Sequence, residues 1–181
     1  MKVQNIRQTD TKKLIEQSFV VLLQKKQLEQ ITIKDITLSA KINRATFYAH
    51  YDDKYQLFNS MMEKSIEDAF CTEPLIHFSS DTDLIDILLY SIESYLQEIK
   101  THCPYSYRNL FPKIRTVMVL KLTGILKKYV PNQMSAPIFD FSCDMLARML
   151  YDAAELFVLD ESSLNLKEIS LQIKKISFID A

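Results

Sequence analysis

An all-helical chain is predicted by three observations. Its 181 residues hold one glycine, Gly124, and five prolines, the residue types on which hairpins, bulges and phosphate-cradling loops depend. Nearly half of the residues are apolar, and they recur at spacings of three and four. Helix-start signals, a Thr, Asn or Asp cap with a partner three residues later, punctuate the chain.

Taken in order, residues 11–27 place Leu14, Ile15, Phe19, Leu22 and Leu23 on one face of a first helix, with Lys12, Lys13, Glu16, Gln17 and Gln24 elsewhere. In "ITIKDITLSA", Thr32 can cap the amide of Asp35 and Ile31 can staple to Ile36, so a second helix starts near Ile33 and ends near Ala40. Asn43 caps a third helix opening at Arg44, with Ile42 and Phe47 in the same staple spacing. Asp53 with Gln56 resembles a capping box for a fourth helix carrying Leu57, Phe58, Met61 and Met62. Longer helices follow at about 82–100, 112–130 after Pro112, 137–158 opening at Pro137, and 165–178 with Asn165 and Glu168 as a capping box. The stretches "CTEPLIHFSSD", "THCPYSYRNLF" and "LDESS" are expected as loops.

Composition removes several function classes. The nucleotide-binding and hydrolase motifs built on closely placed glycines cannot be assembled from one, and no cluster of nucleophile and base is visible, so no catalytic residues are assigned. Cys71, Cys103 and Cys143 are an odd, widely spaced set behind a polar N-terminus, which predicts reduced thiols in a cytoplasm. No apolar run approaches the ~18 residues of a membrane span. His77 with Cys71, and His102 with Cys103, lack further ligands at a usual spacing, so neither a metal nor another cofactor is expected. Tyr105, Tyr107, Phe111, Phe139 and Phe141 either fill core or line a ligand cavity, with core favoured. Residues 1–64 hold 11 Lys/Arg against 7 Asp/Glu, whereas the remainder holds 11 against 16, so the positive balance is confined to the N-terminal third.

That third contains "INRATFYAHYDDK", residues 42–54, which sets aromatic and basic side chains side by side with no glycine or proline. Two short capped helices joined by three residues form a helix-turn-helix, whose second helix lies in the DNA major groove. Its leading turn presents Arg44, Ala45 and Thr46 to base edges, with Phe47 turned into the core. Arginine can bond guanine O6 and N7, and Thr46 can offer a hydroxyl or a methyl. Tyr48, His50 and Lys54 then fall where phosphates pass and each can donate to them.

Residues from about Thr9 to Phe58 resemble the DNA-binding domain of the TetR family of bacterial transcriptional regulators, through "TIKDI", "AKINRATFYAHY" and "DKYQL". The resemblance implies a homodimer with DNA-binding residues 1–54 and a C-terminal helical domain, 55–181, for dimerisation and a small apolar or amphipathic effector. It implies a repressor released from a double-stranded operator, or alternatively a co-activator or accessory factor controlled by a protein partner. Carried over residue by residue, Thr32, Lys34, Lys41, Asn43, Arg44, Ala45, Thr46, Tyr48, His50 and Lys54 are the expected DNA-contacting set, and no effector residues are carried over. Lys41 stands where the family usually has glycine; at positive φ it would be strained, while adding a charge near phosphate. Asn43 replaces the commoner serine and keeps the cap. Dimerisation is expected on the last two helices, through Leu146, Met149, Leu150, Ala153 and Phe157 and through Leu166, Ile169, Ile173 and Ile176.

Overall fold

The computed structural model describes residues 3–70, 81–132 and 134–177. Eight α-helices are present among these: α1 Val3–Leu23, α2 Ile33–Ser39, α3 Arg44–Tyr48, α4 Lys54–Ala69, α5 Asp81–His102, α6 Tyr107–Tyr129, α7 Ala136–Val158 and α8 Leu166–Ile176. A short 3-10 turn, Leu28–Gln30, joins α1 to α2. No helix among the described residues is long and apolar enough to cross a membrane. The chain divides into two compact units, residues 1–64 with 100–108, and residues 65–99 with 109–181.

In the first unit, α1 runs from Val3 to Leu23 rather than over 11–27. The polar residues ahead of Thr11 contain no breaker, so the helix extends beyond the amphipathic pattern that announced it. It stops at Leu23, leaving the next turn to deliver Leu28 into the interior. The buried set is Ile15, Phe19, Leu23, Leu28, Ile31, Ile36, Phe47, Leu57 and Phe58, each at most 3% exposed; burying one such side chain stabilises by about 1.5–3 kcal/mol. The segment 100–108 also belongs here. Its Ser106, 1% exposed, accepts a hydrogen bond from the Leu28 amide at 3.2 Å.

In the second unit the core is built from Leu88, Ile92 and Leu96 of α5, Phe111, Ile114, Met118 and Leu122 of α6, Cys143, Leu146, Leu150 and Tyr151 of α7, and Ile173 of α8. Tyr151 donates its hydroxyl proton to the Phe111 carbonyl at 2.8 Å, and Arg115 holds Asp152 through two parallel bonds of 2.7 and 2.8 Å. On α8 the expected box forms, with Asn165 accepting from the Glu168 amide at 3.0 Å and Glu168 from the Asn165 amide at 2.9 Å. Among the described residues, no buried side-chain nitrogen or oxygen lacks a hydrogen-bond partner.

Two further sequence expectations are corrected, and a third is met in part. Helix α6 opens at Tyr107, so Pro112 lies in its second turn rather than before its start. Leu110, Phe111 and Ile114 are all buried around that proline, and their packing outweighs the ~3 kcal/mol that an interior proline costs. Of the five aromatics, Phe111 and Phe139 fill core as favoured and Tyr107 is half-buried, whereas Tyr105 and Phe141 are 61% and 66% exposed. Finally, Leu146, Leu150, Leu166, Ile169 and Ile173, expected at a dimer contact, belong to the chain's own core. Helix α7 carries a second apolar face, with Ile138 57%, Phe141 66%, Met145 48% and Leu156 46% exposed. The loop expected at residues 71–80, with Cys71 and His77, lies outside the described residues. Cys103 and Cys143 are free and buried, and burial pushes the Cys103 thiol up to about 11 and raises that of Cys143, which keeps both protonated and poorly reactive.

Candidate nucleic-acid interface

The local chain chemistry builds α2, its turn and α3 almost without long-range help. Thr32 accepts from the Asp35 amide at 3.1 Å, and the Asp35 carboxylate accepts from the Thr32 amide and from the Thr32 hydroxyl, both at 2.8 Å, closing a capping box. Lys26 adds an ion pair to the same carboxylate at 2.7 Å. That bond, followed by the two from Thr32, holds the Asp35 carboxyl down at about 2, so it stays ionised and keeps the box closed throughout the neutral range.

At the other end of α2 the chain turns by a Schellman motif. The Ile42 amide donates to the Thr37 carbonyl at 3.0 Å and the Lys41 amide to Leu38 at 3.3 Å, leaving Lys41 left-handed at φ 55°. The strain anticipated for a lysine in the place of glycine is therefore real. α3 then starts on Asn43, whose Oδ1 accepts from the Thr46 amide at 2.7 Å and from the Thr46 hydroxyl at 2.9 Å.

Phe47, fully buried, fixes the roll of this five-residue helix. Its ring meets Tyr48 edge-on at 5.6 Å and Tyr51 at 6.0 Å. Tyr51 is 4% exposed and donates to Glu16 on α1 at 2.9 Å; burial first, and that carboxylate second, raise its pKa far above the usual phenol value. With Phe47 and Tyr51 facing inward, Arg44, Ala45 and Tyr48 face solvent, as do Lys34, Lys41 and Asn43, while Thr46 and His50 are half-buried.

Two members of the expected set have other duties. The Lys54 ammonium donates to the carbonyls of Leu28, Glu29 and Ile31 at 2.9, 2.8 and 2.8 Å. Its three N–H groups close the carbonyl end of the 3-10 turn, which leaves none for a phosphate. Thr32 directs both its amide and its hydroxyl proton to Asp35, so it too lacks a donor for that purpose. The Asp53 cap holds the amides of Tyr55 and Gln56, both at 2.8 Å, but the Gln56 side chain returns to the amide of Asp52, at 2.6 Å, one residue upstream of a standard box.

Sequence reading did not single out Lys26 or Ser106. Lys26 reaches Asp35 across nine positions and Ser106 reaches Leu28 across 78, and neither contact leaves a periodic trace. Among the described residues no three of His, Cys, Asp and Glu are grouped to hold a metal ion.

Residues 20–61 match the family model of the bacterial regulatory proteins, tetR family. An uncharacterized HTH-type transcriptional regulator, YxbF of Bacillus subtilis (strain 168), is 37% identical over 70 residues, which make up 38% of this chain and 17% of that one. The match thus spans less than a fifth of that relative's length. Among solved structures, a TetR transcriptional regulator from Streptococcus agalactiae 2603V is 16% identical with a TM-score of 0.61, covering 96% of this chain and 97% of that one. RolR in complex with resorcinol is 16% identical, TM-score 0.61, over 98% and 92%. The dihydroxyacetone kinase operon activator DhaS is 18% identical, TM-score 0.55, over 92% and 93%. At these identities the three structures attest the fold.

Proposed function

We propose that this chain, a TetR-family regulator by its N-terminal helix-turn-helix, represses transcription in the cytoplasm as a homodimer bound to a double-stranded operator, and leaves it when an effector binds. Residues 1–54 serve as the DNA-binding domain and 55–181 as the regulatory and dimerisation domain. The observation that carries the reading is the capped α3 with Phe47 fully buried and Arg44 exposed at its first turn. Arg44 addresses a base edge, while Lys34, Lys41, Tyr48 and His50 supply phosphate donors around it.

Footprinting with the purified protein on the promoter beside its own gene tests the reading. A protected, palindromic site with half-sites roughly 34–36 Å apart is expected; absence of protection on that and on a randomised library overturns it. On the selected site, Arg44→Ala should cost about 1–3 kcal/mol and relax preference at one position, whereas equal weakening on random DNA removes Arg44 from base reading.

The second reading, an activator controlled by a partner, is favoured by the likeness to DhaS, which is an operon activator by name. A reporter placed behind the footprinted promoter separates the two: deleting the gene raises expression under a repressor and lowers it under an activator. Screening small apolar and amphipathic compounds for a thermal shift, beside a pull-down, distinguishes a small effector from a protein partner.

A further inference from the structure

Resting on the reading of α3 as the groove helix, the hydrogen bonds of Asn43 and Thr46 determine which base edge Thr46 can address. A backbone amide only donates, so the Asn43 atom 2.7 Å from the Thr46 amide is its carbonyl oxygen. The same oxygen lies 2.9 Å from the Thr46 hydroxyl, and a carbonyl oxygen only accepts. The single hydroxyl proton of Thr46 is therefore directed at Asn43. What remains for DNA is a lone pair on Oγ1 and the Cγ2 methyl, an acceptor beside an apolar group.

The major-groove edges differ in how they meet that pair. Guanine offers O6 and N7, both acceptors, and would face an acceptor. Cytosine offers an N4 donor without a methyl. An A·T pair offers both complements, the N6 amino donor of adenine and the C5 methyl of thymine. We propose that Thr46 is a specificity-determining residue that selects an A·T pair in each half-site, its methyl against the thymine methyl and its oxygen accepting from the adenine amino group. Asn43 acts through it as the positioning residue, because its carbonyl removes the donor that would otherwise make Thr46 tolerant of guanine.

The test uses the full-length protein and the DNA duplex it selects from a randomised library, with each thymine replaced in turn by uracil, which lacks only the methyl group. For the wild type, one uracil position per half-site should weaken binding about three- to fivefold, the worth of one buried methyl. Thr46→Ser keeps the hydroxyl and the bond to Asn43 but lacks the methyl, and should bind thymine and uracil duplexes equally at that position. Thr46→Val keeps a methyl and should retain the penalty, which guards against reading a damaged cap as lost recognition. A wild type indifferent to every uracil, or a Thr46→Ser variant with the full penalty, overturns the assignment while leaving DNA binding intact. Failure of the wild type to enrich any sequence overturns the groove-helix reading, and this inference with it.

Discussion

Lys54 sets one ammonium against three carbonyl oxygens at the end of the 3-10 turn. Those carbonyls lie at the exit of a short helical turn, where a cation is favoured; that of Leu28 accepts in addition from the Ile31 amide at 3.2 Å. Lys54→Met keeps the aliphatic stem and removes the charge. It should lower the unfolding free energy in urea by about 1.5–3 kcal/mol, the range for hydrogen bonds to a charged group. The salt dependence of DNA binding should stay as in the wild type, where a lysine touching phosphate would lower the log–log slope by about one unit. The residue type and its position just after α3 suggested phosphate. The backbone of a turn 23 to 26 residues away was the competing anion-like partner, and nothing in the sequence around Lys54 announces it.

At the scale of single elements, what was legible follows the range of the interaction. The starts of α2, α3 and α8 were readable because a cap and its partner sit three residues apart, and Thr32, Asn43 and Asn165 all make the expected bonds. The start of α6 was misplaced, because proline as a helix opener is a local rule and the core around Leu110 and Phe111 overrode it. The outward face of α7 was misread for a related reason: a period of 3.6 identifies apolar stripes but does not say which one faces inward. Gly124 offers a test of the same logic. It sits inside α6, away from any turn, and a methyl added there would meet nothing within 4 Å. Gly124→Ala should raise stability by about 0.5–1 kcal/mol, read as an increased urea midpoint with unchanged slope; destabilisation would mean that α6 needs that glycine for a partner.

For the whole molecule, the proposed homodimer turns on what covers Ile138, Phe141, Met145 and Leu156, a row at spacings of three, four and eleven along α7. A second copy presenting the same row makes a self-complementary two-fold contact. Removing α8 would be a poor test, because Leu166, Ile169 and Ile173 fill the chain's own interior and their loss would unfold it. Phe141→Asp, at an exposed position, should leave circular dichroism unchanged and shift sedimentation at micromolar concentration from dimer to monomer, with binding to a full operator falling toward that of a half-site. A variant that still sediments as the wild type does would place the dimer contact elsewhere.

The bond from the Leu28 amide to Ser106 carries a consequence for the order in which the protein is made. Synthesis runs from the N-terminus, so α1 to α4 emerge well before residue 106 exists, and the first unit has to wait for part of its own interior. Until α5 has been translated and its far end returned, Leu28 has no seryl oxygen to receive its proton, and the place later held by Cys103 and Ser106 is open to water or to a chaperone. A DNA-binding head excised at residue 64 would be caught permanently in that unfinished state. Arrested nascent chains should therefore gain protease resistance in residues 1–64 only once residue 108 has cleared the ribosome, a dependence that Ser106→Ala should weaken.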